Sequence, residues 1–258
     1  MKIIVLVKEV PDTYGDRTID EETGLADRAA SEAVLDEIGE RSLEVALTYR
    51  DANPDTEVVI LAMAPESAST TLRKGLAMGA TSVVHVADVA LAGADLGLTA
   101  EILAAAITQT GYDLVITGNL STDGSGGVLP SMIAEHLGVP LAGSLSSVEI
   151  SETGVTGVRL TDAGTMALRS ALPAVVAITE SLPEARYPNF KGIVAAKKKP
   201  VVTLSAADLK IDPADQSAPR SIVLSVARKP PRTAGTKIVD EGDGGQQLAD
   251  FLLKNKLV

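Results

Sequence analysis

Four short runs in the first half of the chain are nearly continuous in valine, isoleucine and leucine. They are Lys2 to Val7 (KIIVLV), Glu57 to Met63 (EVVILAM), Ser82 to Ala87 (SVVHVA) and Asp113 to Thr117 (DLVIT). Strands that read this way are covered on both faces. Between them lie Ala33 to Arg50, Ala68 to Met78 and Leu98 to Thr110, where apolar residues recur at helical spacing. Gly79 and Thr110-Gly111 stand where the second and third helices should end. This alternation predicts an α/β fold with an open, mostly parallel, Rossmann-like sheet of the adenine-nucleotide-binding type.

The pattern continues with a glycine-opened helix over Ser125 to Gly138 and a strand over Gly143 to Ile150. Strands follow over Val155 to Leu160 and Thr165 to Leu172, joined by a turn at Asp162-Ala163-Gly164, and over Ala174 to Thr179. Glu184 to Pro188 turns the chain into a short amphipathic helix that ends in Lys197, Lys198 and Lys199. After Val202 to Leu204 the character changes. Asp212 to Arg220 is rich in Asp, Pro, Ala and Ser, and Arg228 to Thr236 is a basic, Pro-rich linker. Gln246 to Leu257 reads as a terminal amphipathic helix. One α/β domain is therefore expected over residues 1–225, with a C-terminal arm over residues 226–258 that packs on a partner.

Composition removes several function classes. There are no cysteines, so disulfides and thiol chemistry are out. A net charge of −11 argues against a nucleic-acid surface, which needs clustered Lys and Arg. No apolar run is long enough for membrane insertion, and the run after Met1-Lys2 is too short for a signal peptide, so a cytoplasmic location is expected. The two histidines, His85 and His136, lie far apart and read as structural. No pattern for metal binding, nucleophilic chemistry or paired-carboxylate catalysis emerges, so no catalytic residue and no metal ligand is assigned.

The clearest chemical candidate is Thr117 to Gly127 (TGNLSTDGSGG). It follows a strand and opens a helix, where glycines let backbone approach a phosphate and free N–H groups can receive it. Ser121, Thr122 and Ser125 add hydroxyls. A ligand-free glycine turn is the alternative. Asp36 to Glu40 can meet a nucleotide near the first strand, although by pattern it reads better as a solvated acidic helix face. The loop Lys8 to Arg28 is long and charged. The apolar residues Phe190, Ile193 and Val194 make either a docking tip or a core-facing stripe. Lys197 to Lys199 read as a solvated run at the C-terminal end of their own helix, where cations suit the dipole.

The ordered run LPAVV (Leu172 to Val176), RYP (Arg186 to Pro188) and I-x-x-A-K-K-K (Ile193 to Lys199) resembles the signature of the electron-transfer flavoprotein beta subunit. Lys2 to Asp12 (KIIVLVKEVPD), Leu76 to Ala80 (LAMGA) and Tyr112 to Gly118 are similar to further segments of that family, so the resemblance spans nearly the whole chain. It implies a heterodimer with an alpha subunit that holds FAD. Electrons would arrive from acyl-CoA-type dehydrogenases and leave toward a membrane quinone reductase; the subunit would not be an enzyme by itself. It implies AMP in this chain, held by Leu6, the Asp36 to Gly39 segment, Met63 and the loop from Gly118 through Asn119, Ser121, Thr122, Asp123, Gly124, Ser125, Gly126 and Gly127 to Met132. The partner-recognition loop would be Tyr187 to Lys199, carrying Tyr187, Phe190, Ile193, Val194 and Lys197, with Phe190 where the family presents a leucine anchor. Tyr14 is a candidate flavin contact. The chain departs from the family in reading Asp36-Glu37-Ile38 for Asn-Pro-aromatic, in placing Thr13 between Asp12 and Tyr14, and in reading STDGSGG for AxDxDxxQ. Some relatives bifurcate electrons and hold a second FAD in this cleft. Two rival functions for such a fold are a nucleotide-binding stress or signalling module and an adenylating enzyme. The first has no use for the residue 226–258 arm, and the second wants its Ser-Gly-Gly directly after the first strand.

Overall fold

In chain order the strands of the described residues are β1 (Lys2–Leu6), β2 (Glu9–Pro11), β3 (Ala33–Leu35), β4 (Glu57–Met63), β5 (Ser82–Val86), β6 (Leu114–Gly118), β7 (Leu141–Ile150), β8 (Gly154–Thr161), β9 (Gly164–Ala171), β10 (Ala174–Ile178) and β11 (Val201–Leu204). Nine of them form one sheet in the order β11-β5-β4-β1-β6-β10-β7-β8-β9. The other two, β2 and β3, pair antiparallel in a ribbon of their own. The computed structural model describes residues 1–15, 17–215, 217–227, 230–231 and 234–258. Of the expected linker, Arg228, Lys229, Arg232 and Thr233 lie outside the described residues, as do Asp16 in the first loop and Gln216 in the 212–220 stretch.

The central strands are parallel, and only β7-β8 and β8-β9 pair antiparallel within the large sheet. Both faces of the centre are covered, which explains the uninterrupted valine and isoleucine. One face carries Ile3, Val5, Ile60 and Ile116 against Leu43 and Leu47 of α1 (Glu37–Ala52) and Leu72 and Leu76 of α2 (Ser69–Met78). The other carries Ile4, Leu6, Val59 and Val115 against Ile102 and Ile107 of α3 (Leu96–Thr110) and Ile133 of α4 (Leu129–Leu137). Complete burial of one such isoleucine or leucine contributes roughly 1.5–3 kcal/mol. β1 stands between β4 and β6. The chain builds β4 and β5 on one side of it and then returns to build β6 and β10 on the other, so the sheet order reverses there. Ligands of open α/β sheets sit at the carboxyl ends of the strands at such a point.

Two helix starts lie four residues later than the sequence reading places them. Ala33 to Leu35 is strand, not helix, and α1 starts only at Glu37, because Asp36 caps it by accepting a bond from the Ile38 N–H. Ser125 to Val128 stays outside α4, which opens with Pro130 in its first turn. Ser125 and Gly127 hold φ of 49° and 67°, left-handed conformations that a helix cannot continue through. The loop from Lys8 to Arg28 has more structure than its composition suggests, since it contains β2 and an Ile19–Ala26 bridge. Between β10 and β11 lies α5 (Phe190–Ala196), capped by the Asn189 side chain.

The contacts divide the chain into Met1–Leu224 and Ser225–Val258. The second unit contains α6 (Gly244–Lys254), in which no residue is buried and Leu248, Phe251 and Leu253 are exposed. Among the described residues no helix is long and apolar enough to cross a membrane.

Candidate nucleotide and docking sites

The carboxyl ends of β1 and β6 are bridged by a polar network. Asp36 is only 3% exposed. Its Oδ2 accepts from the Thr122 N–H at 2.8 Å and from Thr122 Oγ1 at 3.2 Å, while its Oδ1 accepts from the Ile38 N–H at 3.2 Å. The solvated acidic face expected by pattern is thus corrected at its first residue. A buried carboxylate there joins the start of α1 to the loop after β6, and its bonds to N–H and O–H donors offset the loss of water.

Lysine and arginine side chains from the β1 end of the sheet reach the same loop. Lys8 Nζ donates to Asp123 Oδ1 at 2.7 Å and to Ser121 Oγ at 3.3 Å. Arg28 lies 4.0 Å from Asp123 and donates to the Glu9 carbonyl at 3.2 Å. Arg17 donates to the Thr122 carbonyl and, at 3.4 Å, to Thr122 Oγ1. Burial pushes the Asp123 carboxyl up, but the Lys8 ammonium and the bonds from Ser121 and Gly124 outweigh it and hold the group below its ordinary range. These three cations are absent from the sequence reading. The one available signal was the charge density of the Lys8 to Arg28 loop.

Most of the expected nucleotide residues come together here. Leu6, Met63 and Gly118 end β1, β4 and β6; Asp36 and Gly39 start α1; Ser121 to Gly127 form the loop; Met132 lies in α4. Leu6 belongs to the apolar cluster beneath the site, and Met63 and Met132 pack against it. Gly118 is sterically required, because an added Cβ would stand 2.6 Å from Ile38 Cγ2. The Asn119 Oδ1 is buried without a partner at the loop's entry. A buried acceptor of this kind calls for a donor such as a ribose hydroxyl or an amino group. This acceptor, with the cations and the exposed backbone N–H groups of Gly124 to Gly127 as donors, is a combination that suits a nucleoside phosphate. Tyr14 is 99% exposed on a turn and joins none of these bonds through its ring.

The second group of expected residues is on the surface. Tyr187 is 91% and Phe190 80% exposed, and Ile193, Val194 and Lys197 are exposed as well. The core-facing reading of this stripe does not hold. Lys199 departs from the reading of a solvated run on its own helix. Its Nζ donates to the carbonyls of Leu76, Gly79 and Ala80 at 2.9, 3.1 and 2.6 Å, so it caps the end of α2 instead. His85 is buried with Nε2 3.0 Å from the Ala64 carbonyl, a structural role, and His136 is exposed near the end of α4. Among the described residues no group of three or more His, Asp or Glu is arranged to hold a metal.

The electron transfer flavoprotein domain model matches residues 23–209. An electron transfer flavoprotein subunit beta of Mycobacterium leprae is 43% identical, the alignment covering 99% of each chain. The corresponding subunit of Megasphaera elsdenii is 29% identical over 100% of this chain and 98% of its own. Subunit CarD of the caffeyl-CoA reductase–Etf complex of Acetobacterium woodii is 33% identical over 83% of this chain and 81% of its own. With its Rossmann-like sheet and full-length similarity, this chain belongs to the electron-transfer flavoprotein beta-subunit family and is an electron-carrier subunit, the partner of an alpha subunit in a flavin-containing heterodimer.

Proposed function

We propose that the chain binds AMP at the β1–β6 crevice and pairs with an alpha subunit that holds FAD. In this reading the heterodimer accepts electrons from acyl-CoA-type dehydrogenases and delivers them toward a membrane quinone reductase. The flavin supplies the redox chemistry when bound. The observation that carries the nucleotide assignment is the convergence of Lys8, Arg17 and Arg28 on Thr122 and Asp123 beside the start of α1. Cations gathered beside one glycine-rich loop favour a phosphate. Asp36 holds Thr122 in place, Gly118 allows the loop to pass Ile38, and Asn119 offers its unpaired acceptor to the nucleoside. Leu6, Met63 and Met132 exclude water from beneath it. The exposed tip of α5 docks the electron donor through Phe190, with Lys197 at the rim, and residues 226–258 pack on the alpha subunit. Tyr14, fully exposed on its turn, is free to reach the flavin from this side.

A second reading, FAD in the crevice in place of AMP, has one support: the similarity to a subunit of the caffeyl-CoA reductase–Etf complex. Co-expression with the alpha subunit, denaturation and chromatography of the released nucleotides separates the two. AMP and FAD in equal amounts are expected; two FAD per heterodimer and no AMP would overturn the AMP assignment in favour of the second reading.

A further inference from the structure

The docking segment between β10 and β11 is held from two sides by groups that lie beneath its exposed tip. On one side it is fastened to α1. Arg186 Nε and Nη2 donate to the two oxygens of Glu44 at 2.8 Å each, and the Arg186 N–H donates to the same carboxylate at 3.0 Å. Nη1 of Arg186 reaches Asp51 at 2.7 Å. Arg41 of α1 donates to the Leu182 carbonyl and lies 3.9 Å from Glu184. Two parallel bonds to a guanidinium fix orientation as well as distance. The Glu44 side chain is only 14% exposed and both its oxygens are taken by Arg186, so it offers a docking protein little to contact.

On the other side α5 rests on the end of α2 by direct backbone approach. A Cβ added at Gly192 would overlap the Ala77 carbonyl oxygen, and that carbonyl belongs to the helix backbone and cannot swing away. Asn189 Oδ1 accepts from the Gly192 N–H at 2.8 Å, so the cap of α5 and the close approach share one residue. Arg73 of α2 donates to the Ala196 carbonyl at 3.3 Å, and Lys199 closes the far end on the α2 carbonyls. The exposed apolar face thus sits on a base with little freedom.

We propose that Glu44 and Gly192 are positioning residues for electron-donor docking: they set the affinity for the donor by holding Phe190 in place, without touching the donor. This rests on the reading of α5 as the docking element. A preformed tip loses little conformational freedom on association, and freeing it removes that advantage.

The test uses the complete heterodimer with its flavin and a purified acyl-CoA dehydrogenase, reduced by its thioester, as donor. Phe190→Ala, Glu44→Gln and Gly192→Ala are compared for the KM of the heterodimer as electron acceptor and for kcat. Each positioning variant is expected to raise KM about 10-fold or more, as misplacement by an ångström or so can do. The maximal rate, flavin content and nucleotide content stay at wild-type values, a split that general loss of folded protein does not produce. If Phe190→Ala raises KM but either positioning variant leaves it at the wild-type value, the proposal is overturned while the docking reading stands. If Phe190→Ala itself leaves KM unchanged, the docking reading fails and the proposal with it. Should Gly192→Ala yield no folded heterodimer, Glu44→Gln alone decides by the same criterion.

Discussion

Replacing Asp36 with alanine removes an acceptor that serves two elements at once, and the structure sets the size of the effect. The capping bond to the Ile38 N–H is lost, which costs about 1 kcal/mol at a helix N-terminus. The Thr122 N–H and Oγ1 lose their shared carboxylate partner. A buried donor left without its charged acceptor costs roughly 1.5–3 kcal/mol, and partial access of water to Thr122 brings this to the lower end. The total is about 2–3 kcal/mol, or on the order of 5–10 °C in thermal midpoint for a chain of this size. In Asp36→Asn the amide oxygen would still cap α1 or accept from Thr122, so that variant should lose less than half as much. The assay is thermal denaturation of the heterodimer at one fixed protein concentration, since association enters the midpoint, together with nucleotide content after gel filtration. Asp36→Ala should also shed nucleotide, because Thr122 and the loop behind it are no longer oriented. An Asp36→Ala heterodimer with wild-type midpoint and full nucleotide would refute the idea that this carboxylate joins helix and loop.

Two further outcomes are expected. Burial raises the Glu44 carboxyl, but bonds to Arg186 and its charge more than reverse this and hold the group below its ordinary 4.5. A depressed carboxyl stabilises the fold above that value and loses the contribution as pH falls through the lower folded one. The urea midpoints of wild type and Glu44→Gln should therefore differ at about pH 7 and draw together as the pH falls below 4.5, and a constant gap would contradict the ion pair's role. Deleting Ser225 to Val258 should weaken co-purification with the alpha subunit while leaving the far-ultraviolet dichroism of the sheet unchanged; full stoichiometry after deletion would show that the arm is not needed for pairing.

The parts of this fold that were legible in the sequence are those with local, periodic causes. The β4 strand Glu57–Met63 falls where its apolar run lies, because a strand buried on both faces admits little else. The hairpin at Asp162-Ala163 is marked by its glycine, Gly164, which holds φ of 133°. The start of α1 was not legible, since Ala33 to Leu35 continues a helical spacing and only the bonding of Asp36 shows where strand stops and helix begins. The glycine loop was placed correctly at its strand but read as helix too early, because composition does not reveal a left-handed Ser125. Least legible were the long-range ion pairs. Lys8 meets Asp123 and Arg186 meets Glu44 across more than a hundred residues, and charged side chains leave no periodic mark that foretells such a pairing. The bland expectations for the Asp36 segment and for Lys199 failed because their hydrogen-bond partners, Thr122 and the carbonyls at the end of α2, also lie far away in the sequence.

Hydrogen bonds at one end and ion pairs at the other give α1 a place at both candidate sites. Its cap Asp36 and, in its first turn, Gly39 stand at the candidate nucleotide loop, and its later turns carry Arg41, Glu44 and Asp51 under the α5 segment. A helix buried through Ile38, Leu43 and Leu47 against β1, β4 and β6 moves as a rigid rod if it moves at all. Anything that displaces its start, such as loss of the Asp36 bonds, therefore acts at its far end too. On the proposed reading, an AMP that takes no part in electron transfer would still have a mechanical consequence in this arrangement. By filling the crevice beside the first turn of α1 it steadies the base on which Arg186, and behind it Phe190, is held. If AMP is held as proposed, what it contributes is stiffness at the proposed docking surface, not chemistry.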